Sequence, residues 1–274
     1  MQTLDLLDGF AADHSAVVVI DGAGKVVAQR GDEGYKFRLA SLTKTLTAMA
    51  IFVAVEEGVL TLDDPVGPKG STVRHLLSHA SGISMGDRGV SLALPGAKRI
   101  YSNAAFELLG DYLADQSGIG FQEYLTTGVL RPIGMMDTTC DGSPASGGVG
   151  TIGDLGRFVA ELLNPSLVSR SLFHEATAVA FPGLVGVVPG FGRQDPCDWG
   201  LGFEIKSQKY PHWTGHRNSK DSYGHFGQSG TFFLVDPDAR YGVAVLTDRA
   251  FEQWAKELWP PFCDAVFSEV VGAR

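Results

Sequence analysis

Two short runs of β-branched residues lie near the N-terminus of the chain. Residues 16–21 read AVVVID and residues 25–30 read KVVAQR, and Gly22-Ala23-Gly24 separates them. Runs of this kind joined by a glycine-containing tight turn are typical of paired strands. The pattern predicts a β-hairpin over residues 16–30.

The next apolar segment has the pattern of a buried helix. From Ser41 onward, apolar side chains cover nearly the whole circumference of a helix, and Gly58 is suited to end it. A helix that is apolar on all sides is expected at the centre of a fold. Lys44 falls in its first turn, where a buried charged amine would be costly.

Helical and loop signals fill the middle of the chain, and strand signals return near its end. We expect helices over residues 71–79, 103–116 and 154–163, strands over 199–205, 231–236 and 241–247, and a closing helix over 252–271 that is interrupted near Pro260-Pro261. Strands at both ends predict one sheet made from both termini. The prediction is a single α/β (α+β) domain, 1–274, with a sheet subdomain (about 1–60 and 196–274) and an inserted, mostly helical subdomain (about 61–195).

The composition of the chain argues against nucleic acid and membranes as its partners. The chain has 274 residues, 44% of them hydrophobic, and a formal net charge of −9, so it has no general attraction to nucleic acid or anionic lipid. No apolar run reaches the roughly 18 residues that cross a bilayer. No signal peptide is visible, although the chain could begin after one, and we expect a cytoplasmic protein. No cofactor or metal is predicted, and the oligomeric state stays open.

The first candidate for chemistry is Ser41-Leu42-Thr43-Lys44, which has the form S-x-x-K. Positions i and i+3 lie on one helical face, so the hydroxyl and the amine can meet. Burial and the positive end of the helix dipole both favour a neutral amine, which can accept the serine proton. Ser41 is therefore a candidate nucleophile and Lys44 its base. The alternative is that Ser41 caps the helix and Lys44 reaches water.

The second candidate is Tyr101-Ser102-Asn103. A tyrosine hydroxyl can relay a proton, and an asparagine amide can hold a substrate carbonyl. The structural alternative makes Ser102 a helix N-cap and packs Tyr101 on Phe106. The two interpretations are compatible, because a packed tyrosine is also a well-positioned one.

The third candidate is His225-Phe226-Gly227, which leads into the strands predicted at 231–247. A strand here could lie beside the start of the Ser41 helix. The backbone N–H groups of Ser41 and Gln228 would then form an oxyanion hole. Trp213-Thr214-Gly215 is a rival for this motif, but it lacks the strand pair that follows.

The three motifs in this order resemble the serine β-lactamase and penicillin-binding-protein superfamily, most closely its class C β-lactamase, D,D-peptidase and esterase branch. The resemblance covers residues from about 35 to 250 and includes VRHLLSHASGI at 73–83. It implies an antiparallel sheet flanked by helices, with a helical subdomain across the active-site cleft. It also implies that Ser41 is acylated while Lys44 and Tyr101 share proton transfer, and that Asn103, His225, Phe226 and Gly227 bind substrate.

The third motif departs from the family pattern K-T-G. His225 replaces the lysine and Phe226 the threonine that receive a substrate carboxylate in the family, and Phe226 has no hydroxyl. The leading expectation is therefore a serine hydrolase that cleaves small-molecule esters or amides through an acyl-enzyme, with an esterase-type preference. A D,D-peptidase or β-lactamase proper and a non-catalytic acyl-binding sensor are the alternatives.

Two histidine pairs with the spacing i, i+4 raise the question of zinc. His75 and His79 lack the glutamate of an HExxH motif, and they fall in the stretch that resembles the family. His212 and His216 lie in the polar, aromatic segment 206–224, which has no helical periodicity. This segment could be surface decoration or a lip over the cleft.

Overall fold

The computed structural model describes residues 1–272. Its strands are β1 (Ser15–Asp21), β2 (Val26–Gly31), β3 (Phe37–Arg38), β4 (Thr139–Cys140), β5 (Gly148–Gly150), β6 (Gly186–Val188), β7 (Gly192–Gln194), β8 (Glu204–Ile205), β9 (Tyr223–Gly227), β10 (Thr231–Asp236) and β11 (Tyr241–Thr247). Its α-helices are α1 (Thr43–Glu56), α2 (Val73–Leu77), α3 (Asn103–Ser117), α4 (Phe121–Leu125), α5 (Ile152–Leu163), α6 (Arg170–Thr177) and α7 (Gln253–Gly272). Short 3-10 helices cover Gln2–Phe10 and Ala40–Leu42, and a π-helical turn covers Thr126–Leu130.

The central sheet is built from both ends of the chain, as the sequence predicts. Its six strands lie in the order β2-β1-β11-β10-β9-β8, and every neighbouring pair is antiparallel. β1 pairs with β11 over its whole length, from Ser15 opposite Thr247 to Asp21 opposite Tyr241. The strand predicted over 199–205 is shorter than expected, because only Glu204 and Ile205 pair with β9.

Both faces of the sheet are covered. Ala16, Val18 and Ile20 belong to a core shared with α1 and α5, whereas Val17 and Val19 belong to a second core shared with α7. Successive strand residues point to opposite faces, so a strand buried on both sides needs an unbroken apolar run. This explains why AVVVI in β1 shows no alternation of apolar and polar residues.

Helix α7 corrects the sequence-based expectation of a break at Pro260-Pro261, because it continues through both prolines to Gly272. The carbonyls that lose their N–H partners are those of Lys256, which is partly exposed, and Glu257, which is exposed, so water can bond them. Trp259 and Phe262 on the inner side are almost completely buried. Their burial holds the helix against the sheet.

The middle of the chain is mostly helix and loop, with two small sheets formed by β3-β5-β4 and by β6-β7. α2 is shorter than predicted and begins after Thr72 rather than Ser71. The division into a sheet subdomain and a helical subdomain stays a prediction. None of the helices within residues 1–272 has the length and apolar character needed to cross a bilayer.

The segment that leads into α1 packs closely against the end of β9. A Cβ atom on Gly227 would lie 2.6 Å from the carbonyl oxygen of Leu39, so only glycine permits this approach. Thr231 adds a hydrogen bond from its hydroxyl to the same carbonyl at 3.2 Å. The predicted proximity of the third motif to the Ser41 helix is confirmed.

Candidate active site

Ser41 and Lys44 meet as their spacing predicts. Ser41 lies in the 3-10 turn before α1, and its Oγ is 3.2 Å from Lys44 Nζ. The Lys44 side chain is completely buried, so it does not reach water. The alternative in which Ser41 only caps the helix is not supported, because no side-chain cap is formed at the start of α1.

The other contacts of Lys44 determine what its amine can do. Nζ donates to Asn103 Oδ1 at 2.6 Å and to the carbonyl oxygen of Ala145 at 2.9 Å. A neutral amine has two N–H bonds and one lone pair, and these two acceptors take both N–H bonds. The lone pair is then directed at Ser41 Oγ. The arrangement allows the Ser41 hydroxyl to donate its proton to Lys44.

The electrostatic environment favours the neutral amine. Burial lowers the pKa of Lys44 to about 7, and the negative charge of Glu107 opposes this shift. A large fraction of the molecules therefore carries an uncharged Lys44 at neutral pH. This is the protonation state that a general base needs near its working pH.

Tyr101 also lies next to Ser41 and remains protonated. Its ring packs against His79 at 4.5 Å and Trp199 at 5.9 Å between centroids, and Lys44 Nζ lies 4.9 Å from the ring centroid. Burial raises the pKa of Tyr101 above its usual value, and a hydrogen bond with Ser41 opposes the shift. Tyr101 is thus suited to pass on a proton, whereas Lys44 is suited to accept one.

The Tyr101→Phe variant tests this assignment. It keeps the ring and its packing but removes the hydroxyl, and general acid–base groups contribute about 10²–10⁴-fold to a rate. We expect kcat for a neutral ester to fall by a factor in that range with an unchanged melting temperature. A rate within threefold of the wild type would restrict Tyr101 to packing.

Asn103 and Ser102 are positioned by the start of α3. Ser102 is the predicted N-cap, and its Oγ accepts the N–H of Ala105 at 3.0 Å. Its own backbone N–H donates to His79 Nδ1 at 3.1 Å. Asn103 is the first residue of the helix, where its Oδ1 meets Lys44. The predicted cap at Ser102 is confirmed, whereas the ring of Tyr101 packs with the second core and not on Phe106 as predicted.

His225 lies in β9 as a neutral side chain. Burial lowers its pKa to about 4, and the charge of Lys44 adds to this shift. Its Nδ1 lies 2.7 Å from the carbonyl oxygen of Phe226, so Nδ1 carries the hydrogen. The Nε2 atom has no hydrogen-bond partner within residues 1–272. The third motif of this chain therefore provides no positive charge for a carboxylate.

Gly227 and Gln228 follow His225 in a tight turn. The N–H of Gly230 donates to the carbonyl oxygen of Gly227 at 3.0 Å, and the N–H of Phe251 donates to that of Gln228 at 2.9 Å. Ala40, directly before Ser41, has a φ of 46°, which is strained for a residue with a side chain. The backbone on both sides of the predicted oxyanion hole is thus held in a defined conformation.

A cavity of about 230 Å³ joins the three motifs. Ser41, Tyr101, Asn103, His225, Phe226 and Gln228 line it, together with Ala40, Met85, Ser146, Pro189, Trp199 and Glu204. Lys44 does not line the cavity itself, but its amine contacts Ser41, which does. The sequence did not identify Met85, Pro189, Trp199 or Glu204 as part of the site, because no short motif marks them.

Glu204 places a buried negative charge in the cavity wall. Its carboxylate accepts hydrogen bonds from Trp213 Nε1 at 2.9 Å and His212 Nε2 at 3.1 Å, and Lys209 Nζ lies 3.4 Å away. Burial acts to raise the pKa of Glu204, but Lys209 and His212 outweigh it and lower the pKa to about 2. Glu204 is therefore ionised at neutral pH.

Segment 206–224 consists of exposed residues and a buried part that matches neither sequence-based expectation. Lys209, His212 and Trp213 are buried and hold Glu204, so this part is neither surface decoration nor a lip over the cleft. Trp213 packs on Phe226 and Phe232 and is not among the cavity residues. The rival third motif at 213–215 is therefore wrong. The partners of this segment are distant in sequence, and no local periodicity reveals them.

Comparison with known proteins finds a matching family and a similar solved structure. The family described as Beta-lactamase matches residues 7–260. A crystal structure described as a beta-lactamase from Mycobacterium bovis is 50% identical, covers 98% of this chain and 99% of that chain, and superposes with a TM-score of 0.96.

More distant relatives have different described activities. D-alanyl-D-alanine-carboxypeptidase/endopeptidase AmpH of Escherichia coli is 27% identical over 233 residues, and the match covers 60% of each protein. The chain thus spans less than two thirds of the length of that relative. EstCE1, described as a hydrolase with promiscuous acyltransferase activity, shares the fold with a TM-score of 0.78 at 19% identity, over 97% of this chain and 98% of that chain. With the family match over most of its length, the chain belongs to the beta-lactamase family.

Proposed function

We propose that the protein is a serine hydrolase that cleaves neutral esters through an acyl-enzyme, with Ser41 as nucleophile. Lys44 accepts the hydroxyl proton as Ser41 attacks the substrate carbonyl, and Tyr101 delivers a proton to the leaving alcohol. The N–H groups of Ser41 and Gln228 stabilise the oxyanion, and Asn103 positions the substrate. Water then attacks the acyl-enzyme, with the same groups returning the protons.

The charge and polarity of the side chains that line the cavity are the observation that supports a neutral substrate. A carboxylate next to the reacting carbonyl would meet neutral His225, apolar Phe226 and ionised Glu204. Among the cavity residues, no side chain replaces the lysine and threonine of the K-T-G pattern, and Glu204, which is paired with Lys209, adds no positive charge. A neutral ester avoids these costs. This supports an esterase preference over hydrolysis of penicillins or D-alanyl peptides.

The two alternative functions are a β-lactamase or D,D-peptidase and a non-catalytic acyl-binding sensor. The descriptions of the M. bovis structure and of AmpH favour a β-lactamase or D,D-peptidase activity. A sensor would form the acyl-enzyme once and release it slowly, which gives a burst of product without steady turnover.

The test compares kcat/KM for p-nitrophenyl butanoate, a chromogenic cephalosporin and a D-alanyl-D-alanine peptide. We expect the ester to be the best substrate. The double variant His225→Lys with Phe226→Thr should shift the ratio toward the cephalosporin, because a charged hydrogen bond contributes about 1.5–3 kcal/mol, or about 10- to 150-fold.

The control for added charge is His174→Lys, at an exposed position of α6. This variant should leave the ratio of the two activities unchanged. A wild-type kcat/KM that is higher for β-lactams than for every neutral ester would contradict the proposal and place the protein with the β-lactamases or D,D-peptidases.

A further inference from the structure

A second and larger cavity adjoins the one that contains Ser41. Its volume is about 760 Å³, and it shares Met85, Tyr101 and Pro189 with the smaller cavity. Its walls come from segment 97–101 and from the hairpin of β6 and β7. Because the cavities share these residues, a substrate whose reacting group lies at Ser41 can extend into the second cavity. We call this second cavity the distal groove.

The walls of the distal groove are apolar and partly open to solvent. Ile100, Val185 and Val187 line it beside Met85 and Pro189. Met85 and Val187 are 54% and 58% exposed, so their apolar side chains are accessible to a ligand. Exposed apolar side chains around a concave surface are typical of a binding site. The walls suit an apolar chain.

The base of the distal groove contains a buried positive charge. The side chain of Arg99 is almost fully buried and donates only to backbone carbonyls, including those of Ser78 at 2.6 Å, Ala180 at 2.7 Å and Cys197 at 3.0 Å. Within residues 1–272, no carboxylate lies at ion-pair distance from Arg99. These carbonyls satisfy its N–H groups, and the buried carboxylate of Asp198 acts on its charge only from beyond ion-pair distance.

Two further cations lie at the rim of the distal groove. Lys98 is exposed and forms no ion pair within residues 1–272, and Arg193 pairs with Asp195 at 3.1 Å. The residues that line the groove include no aspartate or glutamate. Because Asp195 offsets the charge of Arg193, the positive charge of the groove comes mainly from Lys98 and Arg99, in a chain with a net charge of −9. It complements an anion.

We propose that the distal groove binds the far end of the substrate, an apolar chain that terminates in an anionic group such as a carboxylate. The inference rests on the proposed function, which supplies the ester at Ser41. It adds that a negative charge is not stabilised near the reacting carbonyl, where neutral His225 and apolar Phe226 lie, but is favoured at the distal end of the chain. The substrate class is then an ester with a long, anion-terminated apolar substituent.

Binding can be measured without turnover by using Ser41→Ala and three ligands of equal chain length. Isothermal titration calorimetry should give the highest affinity for octanoate, a lower one for octanol and the lowest for octylammonium. In the wild type, octanoate should inhibit hydrolysis of p-nitrophenyl butanoate competitively. Equal affinities, tighter binding of octylammonium, or non-competitive inhibition would overturn the assignment.

Reversing the charge of Lys98 tests whether the carboxylate of octanoate binds near this residue. Lys98→Glu should weaken octanoate binding about three- to tenfold and leave octanol binding unchanged, since it removes one attraction and adds one repulsion at a solvent-exposed position. Lys69→Glu changes the net charge equally at an exposed position away from the groove and should change neither affinity. The same octanoate affinity in Lys98→Glu and the wild type would contradict the anion-binding role.

Comparing the hydrolysis rates of two esters tests the groove assignment separately from the proposed esterase function. The wild type should show a higher kcat/KM for p-nitrophenyl hydrogen suberate, an eight-carbon chain with a terminal carboxylate, than for p-nitrophenyl octanoate. If both esters are cleaved without this preference, the groove assignment fails and the esterase stands. If neither ester is cleaved while octanoate still binds selectively, the proposed function fails and the groove assignment stands.

Discussion

Replacing Ser41 by alanine should abolish ester hydrolysis, with a loss on the order of 10⁶-fold in kcat, as for the nucleophile of other serine hydrolases. No other hydroxyl has the amine of Lys44 at 3.2 Å within residues 1–272. A fluorophosphonate probe should therefore label the wild type at Ser41 and fail to label the variant. Stopped-flow kinetics with a chromogenic ester and mass spectrometry of the labelled peptide provide the two measurements.

The matched control for this substitution is Ser171→Ala, on the exposed side of α6. It should keep both labelling and turnover. Calorimetric melting should show that Ser41→Ala is folded, since Ser41 is partly exposed and its Oγ contributes little to packing. Labelling of a different serine, or wild-type turnover by Ser41→Ala, would refute the nucleophile assignment.

Replacing Lys44 by methionine should lower kcat/KM by about 10²–10⁴-fold, the contribution of a general base. Methionine fills a similar volume, so the packing of α1 is retained. The change leaves Asn103 Oδ1 and the Ala145 carbonyl without their donor, at about 1–3 kcal/mol each, but it also removes a buried amine. We expect a folded protein, which circular dichroism can verify. Activity within tenfold of the wild type would contradict the role of Lys44 as base.

The pH dependence of the wild type provides an independent measurement on the same group. The neutral amine is the active form, so kcat/KM should rise with pH and level off above the Lys44 pKa of about 7. No decline is expected below about pH 10, because burial holds the pKa of Tyr101 above its usual value of about 10. This rise should be absent from the residual activity of Lys44→Met. A rise that persists there would have to come from another group.

Local patterns in the sequence were sufficient for much of the fold and for the three motifs. The spacing of Ser41 and Lys44 depends only on helical periodicity, and the structure brings their side chains together as expected. The strands at 231–236 and 241–247 and the N-cap at Ser102 follow from turn and capping preferences that act over a few residues. The motif and the strands that follow it also predict that the segment of His225 lies beside the Ser41 helix, as the contact of Gly227 with Leu39 confirms.

The tertiary structure alone determined the environment of these groups. The two carbonyl acceptors that direct the lone pair of Lys44 belong to residues 103 and 145, and the donors that keep Glu204 charged come from segment 206–224. The unbroken course of α7 through its prolines depends on burial of Trp259 and Phe262. The burial of Arg99 without a direct ion pair depends on carbonyls from three distant loops, which accept its hydrogen bonds. Desolvation, pKa and hydrogen-bond satisfaction depend on which remote segments pack together, whereas periodicity and spacing report only on neighbours along the chain.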